Sequence, residues 1–143
     1  MLISTRGRYA LRVLIDIAEH QADGRLRLKE VALRQEISEK YLEAILKVLV
    51  KEGVLIGIRG KGGGYRLSRT PDHFSVRAIL QMTEGSLAPV PCLDDSSATC
   101  TRAAECRTIE LWQGLNQVIC DYLARYTIAD LMRVNEPGND YII

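Results

Sequence analysis

ISEKYLEAILKVLVKEGVLIGIRGKGGGYRL, residues 37–67, decides how the chain folds. Ser38 is placed to cap a helix, with Glu39 in the first turn, where the helix dipole favours an acid. Leu42, Ile45, Leu46, Leu49 and Val50 recur at the three- and four-residue spacing of one buried stripe, and Gly53 ends the helix. VLIGIR (54–59) and YRLSR (65–69) follow as two β-rich runs around the turn RGKGGG (59–64), which predicts a hairpin. A glycine-rich turn with a lysine invites comparison with a nucleotide phosphate loop. That loop needs GK followed by Ser or Thr and then a helix, whereas Tyr65, Arg66 and Leu67 open a strand here. Nucleotide binding is therefore not expected.

Toward the N-terminus, Ala10, Val13, Leu14, Ile17 and Ala18 form the core stripe of a helix over residues 5–20. Residues 21–24 break it, and a short helix is expected over 28–35, without a polar cap before Leu28. Helix, short helix, turn, amphipathic helix and hairpin, in that order, describe a winged helix-turn-helix: a mainly α fold with a small β-hairpin wing. In such a fold the second helix of the pair enters the DNA major groove. Its outward face here carries Glu39, Lys40, Glu43, Ala44, Lys47 and Lys51. On a lone helix this would read as a solvated face, and it is the following hairpin that makes it a reading surface. At the wing tip, glycines allow close approach to DNA while Arg59 and Lys61 supply charge. An arginine there suits the narrow, electronegative minor groove of A·T-rich DNA.

Toward the C-terminus, Ser75 caps a short helix expected through Thr83, and residues 85–106 read as a loop. A long helix is expected over 108–126, because Trp112, Leu115, Ile119, Tyr122 and Tyr126 keep a heptad-like seam. Leu111, Val118 and Leu123 widen it. A helix so apolar on so broad a face is read as a homodimer interface rather than a core helix of one chain. The division expected is a DNA-binding domain over residues 1–78, then the loop, dimerisation helix and tail over 79–143.

Charge divides the same way. Residues 1–78 hold fifteen Lys and Arg against nine Asp and Glu, whereas residues 79–143 hold four against nine. The basic half suits a polyanion partner. No apolar stretch approaches the ~20 residues needed to cross a bilayer. The arginines near the N-terminus are not followed by an apolar run, so a signal peptide is not expected and a cytoplasmic protein is. Two histidines and no nucleophile–base pairing argue against an enzyme.

Four cysteines stand at 92, 100, 106 and 120, and none precedes them. In a reducing compartment such a cluster points to metal binding or redox chemistry rather than to structural disulfides. Cys92, Cys100 and Cys106 follow a C-x7-C-x5-C spacing that could hold an iron–sulfur cluster or zinc, either of which normally takes a fourth ligand. Cys120 lies inside the long helix and reads as a small apolar residue.

STRGRYAL at the start, ISEKYLEAIL in the reading helix and IRGKGGGYRL in the wing together resemble the IscR/NsrR/CymR-type family of bacterial winged-helix regulators, over essentially the whole chain. The resemblance implies a homodimeric repressor on pseudo-palindromic promoter DNA, with Ser38, Tyr41, Glu43 and Arg59 at the duplex. It implies a 2Fe–2S or 4Fe–4S cluster on Cys92, Cys100 and Cys106 that reports iron–sulfur, redox or nitric oxide status. Two positions depart from the pattern. The IscR branch places a histidine three residues after the third cysteine, where this chain has Ile109. The NsrR branch places an aspartate near the start of the first helix, where it has Arg8. The fourth ligand stays open among Asp94, Asp95, Glu105, Glu110, a small thiol and a residue of a second protomer, with zinc as the competing metal. The ending, Asn139-Asp140-Tyr141-Ile142-Ile143, is similar to the CymR branch. That likeness implies an alternative: a regulator of cysteine metabolism that senses through cysteine synthase as a protein partner, without a cluster.

Overall fold

The computed structural model describes residues 2–21, 24–95 and 100–132. Helix α1 spans Thr5–His20 and is capped by Ser4, whose hydroxyl accepts the Gly7 N–H. Helices α2, Leu28–Gln35, and α3, Glu39–Lys51, form the helix-turn-helix. The turn between them is made by Glu36, which takes left-handed backbone angles at φ 54°. The Ser38 hydroxyl caps α3 by accepting the Tyr41 N–H at 3.2 Å. Strands β1, Leu55–Ile58, and β2, Gly64–Leu67, pair antiparallel with Leu55 opposite Leu67 and Ile58 opposite Gly64. This is the winged helix-turn-helix expected from the sequence. One pairing was not anticipated: Leu26, before α2, bridges Tyr65 through reciprocal backbone bonds of 2.9 and 2.8 Å. The wing is thereby fixed to the α1–α2 connection as well as to α3.

The apolar stripes meet in one core, formed by Ala10, Val13, Leu14 and Ile17 of α1 and Leu42, Ile45, Leu46 and Leu49 of α3, with Leu55 and Leu67 of the hairpin. Each fully buried aliphatic side chain contributes ~1.5–3 kcal/mol, so this seam fixes how α3 sits on the rest of the domain. Helix α4, Val76–Glu84, is capped by Ser75 and packs on α1. Its last residue, Glu84, ties it to the start of α1: the carboxylate accepts both the N–H and the O–H of Ser4, at 3.1 and 2.6 Å. Two short 3-10 turns, Pro91–Leu93 and Ala103–Glu105, lie within the stretch expected as loop. Helix α5 spans Ile109–Ala124, slightly shorter than the spacing implied. A further helix, α6 over Ile128–Met132, packs on α1, with Ile128 fully buried in the main core. The sequence reading had no element there. No helix among the described residues is long and apolar enough to cross a membrane.

Candidate nucleic-acid interface

Three features of α3 converge on one exposed face. The apolar stripe holds the opposite face in the core, so Lys40, Glu43 and Lys47 point outward and are exposed. Glu43 and Lys47, one turn apart, approach to 3.8 Å. Both are exposed, so the pair adds little stability and either partner is free to exchange it for an external one. Tyr41, half-buried at the start of α3, sets its ring edge-on to Tyr9 of α1, with centroids 5.9 Å apart. Arg12 lies 4.9 Å above the Tyr9 ring and donates to the Gln35 carbonyl at 2.6 Å and to its Oε1 at 3.2 Å.

Behind this surface sits Asp16, only 2% exposed. Arg34 donates to it through Nε and Nη2, the shortest bond being 2.7 Å, and Gln35 adds another at 2.8 Å. Burial alone would raise the carboxyl pKa. The bonds from Arg34 and Gln35 and the charges of Arg34 and His20 outweigh it and hold Asp16 below the ordinary carboxylate value. The network ties α1 to the end of α2 and, through Gln35, Arg12 and the Tyr9 ring, reaches Tyr41 at the start of α3. None of Tyr9, Arg12 or Asp16 was singled out from sequence. The available signal was an acid next to Ile17 of the α1 core stripe, which on burial must find a cation or hydrogen-bond donors elsewhere in the chain.

The wing tip is glycine for steric reasons. Gly60 and Gly62 take positive φ angles of 91° and 74°, and a side chain at Gly63 would collide with the carbonyl of Ile58. Arg59 and Lys61 are both exposed on this tip. Between α3 and the wing runs an open groove of about 400 Å³ lined by Glu43, Lys47, Lys51, Arg59 and Tyr65 among others. Three cations and one acid thus face a single trough. Of the residues expected at DNA, Glu43, Lys47 and Arg59 meet there. Ser38 and Tyr41 lie at the N-terminal end of α3 and Lys61 at the other side of the wing. Lys51 and Tyr65 join the trough although only the first had been placed on the outward face.

The cysteines are arranged differently. Cys92 and Cys100 are exposed, while Cys106 and Cys120 are half-buried. Cys106 lies just before α5, with its Sγ 3.4 Å from the Thr108 hydroxyl. That hydroxyl, the backbone N–H groups of Thr108 and Ile109, and the charge of Arg102 hold the Cys106 thiol below the usual thiol range. Among the described residues no three His, Cys, Asp or Glu side chains converge as a metal site. Residues 96–99, between the first two cysteines, and the tail, residues 133–143, lie outside the described residues. Cys120, half-buried on α5 near Asn116, lines a pocket together with Leu93, Asp94 and Asp95, the residues that follow Cys92.

Helix α5 contains no buried residue. Leu111, Leu115, Val118 and Tyr122 are exposed, Val118 by 64%, and Leu123 is the side chain that reaches the small cluster of Val76, Leu80 and Leu87. Among the described residues the apolar face read from the heptad-like seam is therefore largely uncovered, with Leu115, Tyr122 and Tyr126 exposed and Trp112 and Ile119 half-buried.

A family model described as "Rrf2: Iron-dependent Transcriptional regulator" matches residues 3–134. The chain is 38% identical to the protein rrf2 of Nitratidesulfovibrio vulgaris over 93% of its own length and 88% of that protein. It is 34% identical to the HTH-type transcriptional regulator IscR of Photobacterium profundum, over 94% of this chain and 77% of that one. In three dimensions it is similar to CymR (YrzC), the global cysteine regulator of B. subtilis. The TM-score is 0.76 at 32% identity, covering 95% of this chain and 99% of the other.

Proposed function

Because the chain belongs to the Rrf2 family of transcriptional regulators, and is no enzyme, we propose that it binds double-stranded promoter DNA as a homodimer. The observation that carries this reading is the trough between α3 and the wing, where Lys47, Lys51 and Arg59 face one strip of surface. Ser38, Lys40, Tyr41, Glu43 and Lys47 meet the major groove, and Arg59 and Lys61 meet the adjacent minor groove and its phosphates. The exposed face of α5 pairs the protomers, which spaces two reading helices for a pseudo-palindromic site. Residues 1–78 do the reading, and residues 79–143 pair the chains and sense. Selection of bound duplexes from a random library by the purified protein tests this. A two-fold related consensus is expected, and a bound pool no different from the input would remove the reading.

For the sensed signal, three thiols on one solvent-accessible loop match the donor chemistry of an iron–sulfur site, although the described residues do not assemble them. We propose Cys92, Cys100 and Cys106 as its ligands, with the fourth taken from Asp94, Asp95, Glu105, Glu110, a small thiol or the second protomer. When bound, such a cluster supplies a redox- and nitric oxide-sensitive centre beside the start of α5, and repression would follow its state. Zinc suits the same thiolates and is the competing assignment. The likeness to a cysteine regulator favours cysteine supply as a second candidate signal. Nothing in the comparisons supports cysteine synthase as the partner, and the tail that suggested it lies outside the described residues.

A further inference from the structure

The wing separates two grooves, and only one faces α3. The other, about 490 Å³, runs between the wing tip and the start of α2. Arg27 and Leu28 form one wall, Lys61 and the glycines of the turn form the other, and Ile58 and Tyr65 line it between them. Its lining contains two cations and no acid, whereas the groove on the α3 side includes Glu43. Glu30, the nearest acid in sequence, spends a carboxylate oxygen on the Arg27 backbone N–H at 3.3 Å. Among the described residues neither Arg27 nor Lys61 forms an ion pair, and both are exposed. The groove is also held in shape. Leu26 and Tyr65 exchange backbone bonds across it, Arg25 donates to the Gly62 carbonyl at 3.0 Å, and Gly64 packs so closely that a Cβ would stand 2.5 Å from the Leu26 carbonyl oxygen.

We infer that this second groove receives a DNA phosphate backbone, held by Arg27 and Lys61. The inference rests on the DNA-binding reading above and adds a contact to it. A wing tip inserted in a minor groove ~6 Å wide has one sugar–phosphate strand on each side. Lys47 and Lys51 face one strand, and Arg27 and Lys61 face the other. Phosphate contacts carry no sequence information, so this side sets affinity and orientation rather than site choice.

The test is an anisotropy titration of the full-length protein on a selected operator and on a scrambled duplex, across a salt series, for Arg27→Ala, Arg27→Lys and Lys61→Ala. Each alanine variant should weaken both duplexes by a similar factor, roughly tenfold. Each should also flatten the slope of log affinity against log salt by about two, close to one per protomer. Arg27→Lys, which keeps the charge, should retain the parent slope. Arg27→Ala with the parent's affinity and slope, on a parent protein that binds its operator, would overturn the groove and leave the DNA reading intact. A parent protein that binds no duplex would remove both.

Discussion

Replacing Asp16 by Asn probes the network behind the reading helix at almost constant shape. Asn keeps the volume and one acceptor oxygen but removes the charge that Arg34 and Gln35 address. Stranding one partner of a fully buried ion pair costs ~3–5 kcal/mol. Arg34 is one-third exposed and can turn toward water, and Asn still accepts one bond, so ~2–3 kcal/mol is the expected loss at neutral pH. Despite its burial, the folded carboxyl is held below its ordinary value by the bonds from Arg34 and Gln35. Its stabilisation is therefore complete above that value and is lost as pH falls through the lower folded one. Urea unfolding of parent and variant at one fixed protein concentration, followed by circular dichroism, measures both effects. The difference should be flat from neutral pH down to about 5 and should shrink toward about pH 3. A difference below ~0.5 kcal/mol at neutral pH, or one unchanged in acid, would refute the assignment of Asp16 as an ionised anchor.

Arg59→Ala should weaken operator binding by ~1–3 kcal/mol in a titration at fixed salt, the scale of one good base contact. Glu43→Ala should broaden the set of duplexes recovered by selection, because an acid near phosphates is repelled unless it accepts a bond from a cytosine amino group. Cys92, Cys100 and Cys106 should each be needed for a visible chromophore in protein purified without oxygen, while Cys120→Ala should keep it. Val118→Asp, placing a charge on the exposed face of α5, should shift the protein from dimer to monomer in sedimentation and cost operator binding with it.

The elements that carry their own pattern were legible in the sequence. The α1 and α3 stripes, the Ser38 and Ser75 caps and the hairpin with its glycine tip stand where the spacing put them, because each depends on residues within a few positions of one another. Val50 is the exception, exposed at the edge of the α3 stripe and lining the trough beside the wing. The Leu26–Tyr65 bridge joins positions far apart in the chain and leaves no local trace. Helix α6 is five residues long, too short for periodicity to declare it, and owes its place to the burial of Ile128 against α1. Asp16 was hidden in the same way, since the Arg34 that makes it tolerable lies on another helix. At the interface, the outward residues of α3 and the wing could be listed from sequence. Their division into two grooves on opposite sides of the wing depends on that tertiary pairing.

The most direct test is the ratio of affinities for a selected pseudo-palindromic duplex and a scrambled one of equal length, measured at physiological salt with the stoichiometry determined in the same titration. A sequence-specific homodimeric regulator should prefer its site by ~10³ or more, with two protomers per duplex and a smaller ratio in Arg59→Ala. A ratio near one for the parent protein, or saturation at one protomer per site, would contradict the reading of α3 and the wing as a paired, sequence-reading surface.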